Sequence, residues 1–165
     1  MPPGSHVLRQ RRVLLVSAVL LGRVLLTVSA AQVPTAIRPD GTLGTTVTQS
    51  GNVYTIRGGT RPGNGPNLFH SFDRFSVGKG DTATFTSEQT GIKHILSRVT
   101  GGQRSDIDGQ LRTDGQLRSE GANLYLLNPR GVMFGPNASL DVSGSFHVST
   151  RTSCGLRMVP PLQRT

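Results

Sequence analysis

The stretch that decides the fold runs from Gly121 to Thr150 and reads GANLYLLNPRGVMFGPNASLDVSGSFHVST. Its short apolar runs begin 8, 8 and 6 residues apart, at Leu124, Val132, Leu140 and Phe146. Antiparallel hairpins can give such spacing, but their strands usually alternate clearly between an apolar and a polar face. Strands of about three residues with Asn, Gly and Pro at the corners fit successive sides of one coil of a parallel β-solenoid at least as well.

The first corner of this stretch is Asn128-Pro129-Arg130-Gly131. Its residue order is the one that a type I turn prefers, because proline fixes φ at the second position and the asparagine side chain can bond the turn backbone. Taken alone, these residues indicate a structural turn that any solenoid could use.

At these residues the chain resembles the N-terminal secretion domain of filamentous haemagglutinins and related exoproteins of the two-partner secretion pathway, whose motif is Asn-Pro-Asn-Gly-Ile. The resemblance covers residues 32–150 and includes GTLGTTVTQSGNVYTI, NLFHSFDRFSVGKGDTATFTS and GIKHILSRVTGGQRSDIDGQL. It implies an all-β fold, a right-handed parallel β-helix, that a partner transporter in the outer membrane recognises. We expect the N-terminal part to cap one end of this solenoid, because an uncapped coil would expose a row of unpaired backbone groups.

The resemblance also implies a site. It assigns Asn128, Pro129, Arg130 and Gly131 to the signal that the periplasmic domains of the transporter recognise, or that nucleates folding. Arg130 stands where the family has asparagine, and Val132 stands where it has isoleucine. A second family motif, Asn-Pro-Asn-Leu, is absent at the corresponding place, so the chain resembles the branch of the family without it.

Residues 1–31 have the pattern of a secretory signal peptide. Three arginines within residues 9–12 precede an apolar run at residues 13–21, and small residues then allow cleavage after Ala30 or Ala31. Gly22-Arg23 interrupts the apolar run, which argues against a membrane-spanning helix of about 20 apolar residues. An amphipathic N-terminal anchor is the alternative interpretation.

The charge distribution argues against a nucleic-acid partner. The chain carries a net charge of +9, but residues 1–31 contain four arginines and residues 151–165 contain three, with no acidic residue in either segment. Residues 32–150 are therefore nearly balanced, without the clustered basic face and stacking aromatic side chains that nucleic-acid binding needs. Cys154 is the only cysteine, so an intrachain disulfide is impossible.

Two segments are ambiguous between helix and other structure. In LFHSFDRFSV, residues 68–77, phenylalanines recur every third residue, which suits a short helical turn or an irregular segment packed under the cap. The family resemblance favours the irregular segment. In IKHILSRV, residues 92–99, the apolar spacing suits a helix, yet eight residues bounded by glycine equally suit a strand, and the solenoid context favours a strand.

Residues 108–119 form the tandem hexapeptide DGQLRT-DGQLRS. Two copies are too few to establish a repeat architecture. One interpretation places Leu111 and Leu117 at equivalent inward positions with Arg112 and Arg118 outside. The other treats one copy as an insertion that lengthens a loop.

The last fifteen residues, 151–165, lose the strand spacing and contain Pro160-Pro161. We hypothesise that the reading frame shifted near Thr150, which would make this segment an aberrant tail. Restoration of solenoid-like sequence in another frame of the downstream DNA would support this hypothesis.

No motif predicts a catalytic residue, a metal site or a cofactor. Asp106 and Asp108 would share one face of a strand, as in a polysaccharide-cleaving solenoid enzyme, but the chain offers no matching base and cations. His70, His94 and His147 lie far apart in sequence without metal-ligand spacing, so packing or surface roles are expected.

We therefore expect the secretion domain of a large exported adhesin-like exoprotein. The chain would pass the inner-membrane export machinery, meet its outer-membrane transporter in the periplasm, and fold at the surface of a Gram-negative-type cell. The alternatives are a solenoid polysaccharide-cleaving enzyme and the delivery part of a contact-dependent toxin exoprotein, which shares this region with adhesins.

Overall fold

The computed structural model describes residues 32–151. The expected signal peptide with its cleavage positions Ala30 and Ala31, and the expected tail from residue 152 onward, lie outside this range. Twelve strands occur in the described part: β1 (Ala36–Pro39), β2 (Thr45–Ser50), β3 (Val53–Gly58), β4 (Asn67–Ser76), β5 (Thr82–Ser87), β6 (His94–Val99), β7 (Ser105–Ile107), β8 (Gln110–Asp114), β9 (Asn123–Leu127), β10 (Val132–Phe134), β11 (Ser139–Asp141) and β12 (Phe146–Ser149). One short α-helix, α1 (Gly115–Ser119), and a 3₁₀ turn (Pro62–Asn64) complete the elements. None of the helices within residues 32–151 has the length and apolar character needed to span a membrane.

The strands form three sheets that the chain visits in turn. Side A has the order β1-β4-β6-β9-β12, side B has the order β2-β3-β5-β8-β11, and side C pairs β7 with β10. Val77 bridges Ile107 in parallel and so supplies side C of the first coil. The chain runs from side A to side C to side B and back to side A, through about three coils. The predicted parallel β-helix is confirmed.

The register on side A gives the length of a coil. Ser71 pairs with Arg98, a step of 27 residues. His94 pairs with Asn123, a step of 29 residues. The last step on this side, from β9 to β12, is shorter, because its chain passes from side to side without any insertion. The apolar runs that begin at Leu124, Val132 and Leu140 are thus successive sides of one coil, as predicted, and the run that begins at Phe146 is the first side of the next coil.

Stacked apolar side chains fill the interior. Leu68, Ile95 and Leu124 follow one another in register on side A, and Ala83 lies beside Leu111 on side B. All five are buried. Complete burial of one such large aliphatic side chain contributes about 1.5–3 kcal/mol to the free energy of unfolding. These stacked side chains therefore stabilise a chain that has no intrachain disulfide.

The first edges of the solenoid are covered by antiparallel strands. β1 pairs antiparallel with β4 on side A, and β2 pairs antiparallel with β3 on side B. Antiparallel pairing satisfies the backbone groups that a first parallel coil would leave open. The expected N-terminal cap is confirmed.

The opposite end of the described solenoid exposes inward-facing positions. Phe134 stacks on Ile107 and Leu140 on Leu111, yet their side chains remain 44% and 51% exposed. Within residues 32–151, no strand pairs with the outer edges of β10, β11 and β12. This end therefore offers backbone groups and apolar side chains for further strand pairing.

Residues 68–77 differ from both sequence-based expectations. They lie almost entirely in β4, a ten-residue strand, and form neither a helical turn nor an irregular segment. The register with β1 shifts between Arg38 and Pro39, so that Asp73 is an extra residue in a β-bulge. The bulge lets Phe72 and Phe75, three residues apart, both point inward, with ring centroids 5.0 Å apart. The spacing of three between Phe72 and Phe75 is therefore the result of a bulge in a strand.

The two remaining ambiguous segments resolve differently. Residues 94–99 form β6, as the solenoid context predicts. The hexapeptide copies are not equivalent, because Leu111 lies in β8 whereas Leu117 lies in α1, although both are buried. The interpretation of equivalent ladder positions is wrong. The second copy lengthens the connection from β8 to β9.

Candidate functional site

The Asn128–Gly131 turn follows β9 at the corner between sides A and C. The Gly131 N–H donates to the Asn128 carbonyl at 3.0 Å, and the Arg130 N–H donates to Asn128 Oδ1 at 2.9 Å. Asn64 is the only non-glycine residue with positive φ among residues 32–151, so Arg130 has the negative φ of a type I turn. The predicted turn is confirmed.

The Asn128 side chain points into the protein and is completely buried. Its Nδ2 donates to the Gln103 carbonyl at 3.0 Å and to Ser105 Oγ at 2.9 Å, in the coil before. Its backbone N–H donates to the Ser149 carbonyl in the coil after. One asparagine therefore connects three successive coils, and every hydrogen-bonding group of its amide has a partner.

The other three positions of the turn have different roles. Pro129 and Arg130 are exposed at its tip. Gly131 has φ +107, a conformation that side chains disfavour, and its carbonyl accepts from the Ser105 N–H at 3.0 Å. In the folded chain, a partner can therefore touch Pro129 and Arg130, whereas Asn128 is available only before folding.

The pattern of the sequence does not reveal Gln103 and Ser105, although they hold Asn128 in place. Gln103 contributes a backbone carbonyl, which leaves no signature in the sequence, and serine is a common residue in strands and turns. Their separation from Asn128, 25 and 23 residues, is somewhat less than one coil. Once a solenoid is predicted, a search one coil upstream of the turn would find them.

A family model described as the TPS secretion domain matches residues 35–159. The chain belongs to the TPS secretion domain family. The match ends beyond the boundary expected at residue 150, so Arg151 lies within the matched range. No curated protein matches the chain.

The TPS secretion domain is the part of an exoprotein that directs two-partner secretion. The chain is thus part of a secreted exoprotein of Gram-negative two-partner secretion. Membership also implies an interaction with an outer-membrane partner transporter.

The two aspartates considered for catalysis have structural partners in this TPS secretion domain. Asp106 and Asp108 share the outward face at β7, as expected. Asp106 Oδ1 accepts from Arg104 Nε at 2.8 Å, while Asp108 Oδ1 accepts from the Asn137 N–H at 2.9 Å. Within residues 32–151, no group of three His, Cys, Asp or Glu side chains is arranged to hold a metal ion.

The histidines fall into two environments. His70 is buried against Phe72 and Phe85, its Nδ1 lies 3.2 Å from Thr45 Oγ1, and burial lowers its pKa to about 4. His94 and His147 flank Tyr125 on the outer face of side A, with ring centroids 5.8 and 4.5 Å from the tyrosine ring. The coils thus bring together two histidines that are distant in the sequence.

Proposed function

We propose that residues 32–150 are the segment by which a large adhesin-like exoprotein is recognised by the periplasmic domains of its outer-membrane transporter. The Asn128–Gly131 turn is the proposed point of recognition. The proposal rests on the division within this turn between one completely buried side chain and two exposed ones.

Asn128 has the role of a folding determinant in this proposal. Its side-chain hydrogen bonds to Gln103 and Ser105 form only when the third coil closes on the second, and its backbone N–H reaches the Ser149 carbonyl only when β12 pairs with β9. A chain that has not closed these coils leaves the strand edges free for a partner. Closure at the cell surface then removes them from that partner.

Pro129 and Arg130 have the role of a recognition surface. The turn hydrogen bonds and the restricted φ of proline hold this tip in one conformation, which reduces the entropy lost on binding. The guanidinium of Arg130 supplies a charged donor at that tip.

Strand addition would supply the remaining affinity. β12 is the last strand of side A in the described chain, and its outer edge carries unpaired backbone groups. An exposed strand of a transporter domain can pair with such an edge, since this mode of binding uses mainly backbone groups and tolerates varied sequence. The same end would template further coils of the exoprotein once the transporter releases it.

The test is binding of the chain to the isolated periplasmic domains of the transporter encoded beside it. The Pro129→Ala/Arg130→Ala variant is expected to bind about tenfold more weakly, because it loses both the rigid tip and a charged contact. Asp106→Ala is the control, because it removes a partly exposed carboxylate one coil away from the turn. Equal binding by the two variants would reject the site assignment.

Asn128→Ala separates folding from recognition. It is expected to slow refolding after dilution from urea, while the refolded variant retains most of its binding, because the exposed side chains of Pro129 and Arg130 are unchanged. Loss of binding by the refolded variant together with wild-type refolding would assign Asn128 to recognition and contradict its folding role.

A further inference from the structure

A groove of about 700 Å³ runs beside the turn across consecutive coils. Residues 98–101, at the end of β6, form one wall. Leu127, Pro129 and Arg130 form the next part, and Arg151 follows after β12. The groove thus lies along the corner where side A ends in each coil.

The lining of this groove is basic and partly apolar. It contains Arg98, Arg130 and Arg151 and no acidic side chain. None of the salt bridges formed within residues 32–151 involves these three arginines. Leu127 and Pro129 add apolar surface between the charges.

The two carboxylates near the groove, those of Asp73 and Asp40, have other partners. Asp73 lies beside Gly101 and pairs with Arg38 at 3.9 Å. The Asp40 carboxylate accepts a hydrogen bond from the hydroxyl of Thr100, a residue of the groove wall, at 2.8 Å. It also accepts from the hydroxyl groups of Ser71 and Thr42. Arg98 is held by hydroxyl groups, with Nε 2.9 Å from Ser71 Oγ. Arg130 and Arg151 are exposed, so two guanidinium groups remain available to an incoming anion.

We propose that this groove binds an acidic polypeptide segment, with carboxylates on Arg130 and Arg151 and an apolar side chain against Leu127 and Pro129. The inference deepens the proposed function, on which it rests, by assigning this segment to a periplasmic domain of the transporter. Arginine suits the role because its planar guanidinium pairs with a carboxylate through two parallel hydrogen bonds.

The surroundings favour a polypeptide over a phosphate-bearing lipid. β12 ends shortly before Arg151, and its outer edge has no strand partner in the described chain. An extended peptide that pairs with this edge runs alongside β12 towards Arg151, so that one end of the peptide reaches the groove. A lipid headgroup can use the arginines but not the strand edge.

The first experiment titrates the purified full chain into a fluorescein-labelled peptide of alternating glutamate and leucine. Arg130→Gln/Arg151→Gln is expected to weaken binding about tenfold, and binding should decline between low and physiological salt as exposed charges are screened. The matched control is Arg57→Gln/Arg74→Gln, which removes the same charge from exposed positions outside the groove. Equal losses in the two double variants would overturn the groove assignment.

A competition measurement tests the class of ligand. Vesicles of phosphatidylglycerol are added to the peptide complex and are also titrated alone. Arginine-dependent binding of the vesicles without binding of the peptide would replace the polypeptide with an anionic lipid and overturn the proposal. Displacement of the vesicles by the peptide supports it.

The second experiment separates this inference from the proposed function. Arg151 lies outside the Asn128–Gly131 turn. The Arg151→Gln variant is expected to bind the transporter's periplasmic domains about threefold more weakly than wild type, whereas the Arg57→Gln control should keep the wild-type affinity. Wild-type affinity of Arg151→Gln would remove the groove from the interface and leave the proposed function standing. Failure of the wild-type chain to bind those domains would reject the proposed function, while the peptide titration would still decide whether the groove binds acidic segments.

Discussion

The side-chain amide of Asn128 donates a hydrogen bond to Ser105 Oγ, 2.9 Å away in the preceding coil. Both groups are completely buried. This bond connects the turn that contains the family motif to the preceding coil. The motif therefore contributes to the packing of the solenoid as well as to its surface. Changes at Asn128 should therefore appear first in stability.

Asn128→Ala is expected to lower the free energy of unfolding by about 2–3 kcal/mol, because it leaves the Gln103 carbonyl and the Ser105 hydroxyl without their buried partner. Urea unfolding followed by circular dichroism measures the change. Asn137→Ala is the control, since the Asn137 side chain bonds Asp108 at an exposed position and should cost less than about 1 kcal/mol. Equal losses would show that the burial of Asn128 adds nothing.

Gly101 and Gly102 are adjacent but have different surroundings. A Cβ on Gly101 would lie 1.9 Å from the Asp73 carbonyl oxygen in the coil below, whereas a Cβ on Gly102 would meet nothing within 4 Å. Gly101→Ala is therefore expected to lower the unfolding free energy by at least about 2 kcal/mol, because it forces two coil corners apart. Gly102→Ala should change it by about 0.5 kcal/mol or less. Thermal unfolding of the two variants tests this, and similar melting temperatures would contradict it.

The regular last coil makes a parallel solenoid one of two interpretations of the strand spacing, and the family resemblance favours it over antiparallel hairpins. From Leu124 to Phe146, short apolar runs and Asn, Pro and Gly corners follow the sides of the coil directly, with no insertion between them. The Asn128–Gly131 turn is equally local, since its hydrogen bonds join residues two and three positions apart.

The features that sequence alone missed depend on contacts between coils. The bulge at Asp73 is visible only as a shift of register against β1, and without it the spacing of Phe72 and Phe75 mimics a helix. Leu117 has the same flanking sequence as Leu111, but its buried side chain belongs to α1 and not to a strand. Three arginines that are distant in the sequence line the groove. Their proximity can be predicted only when the number of residues in each coil is known.

Asp40 connects the cap to the first two coils and should make stability depend on pH. Burial raises the pKa of its carboxyl group, but hydrogen bonds from Ser71, Thr42 and Thr100 outweigh burial and hold the pKa well below the ordinary value of 3.8. Because the folded pKa is the lower one, the stabilisation is complete above the ordinary pKa and is lost as the pH falls through the folded value. Asp40→Asn should thus be about 1–2 kcal/mol less stable than wild type at neutral pH, with a gap that narrows below about pH 4.

Urea unfolding of wild type and Asp40→Asn across this acidic range measures the gap. Asp114→Asn is the control, since that side chain is 49% exposed and its carboxylate lies 3.9 Å from its partner Arg112. A gap between wild type and Asp40→Asn that stays constant down to about pH 2 would show that the charge of Asp40 does not stabilise the cap.

His70 should add a second dependence on pH, at higher values. Burial lowers its pKa from 6.5 to about 4, and Nε2 has no hydrogen-bond partner in the folded chain. The unfolded chain therefore binds the proton first, so stability is complete above about pH 6.5 and falls towards pH 4, by at most about 3 kcal/mol. His70→Leu, which places leucine beside Ser97 in the ladder that continues to Leu126, should flatten the dependence of the unfolding free energy on pH over this range. Ser97→Ala is the control: it changes a buried neighbour that does not titrate, so it should shift the curve of unfolding free energy against pH without altering its slope. Parallel curves for wild type and His70→Leu would contradict the burial of a neutral histidine.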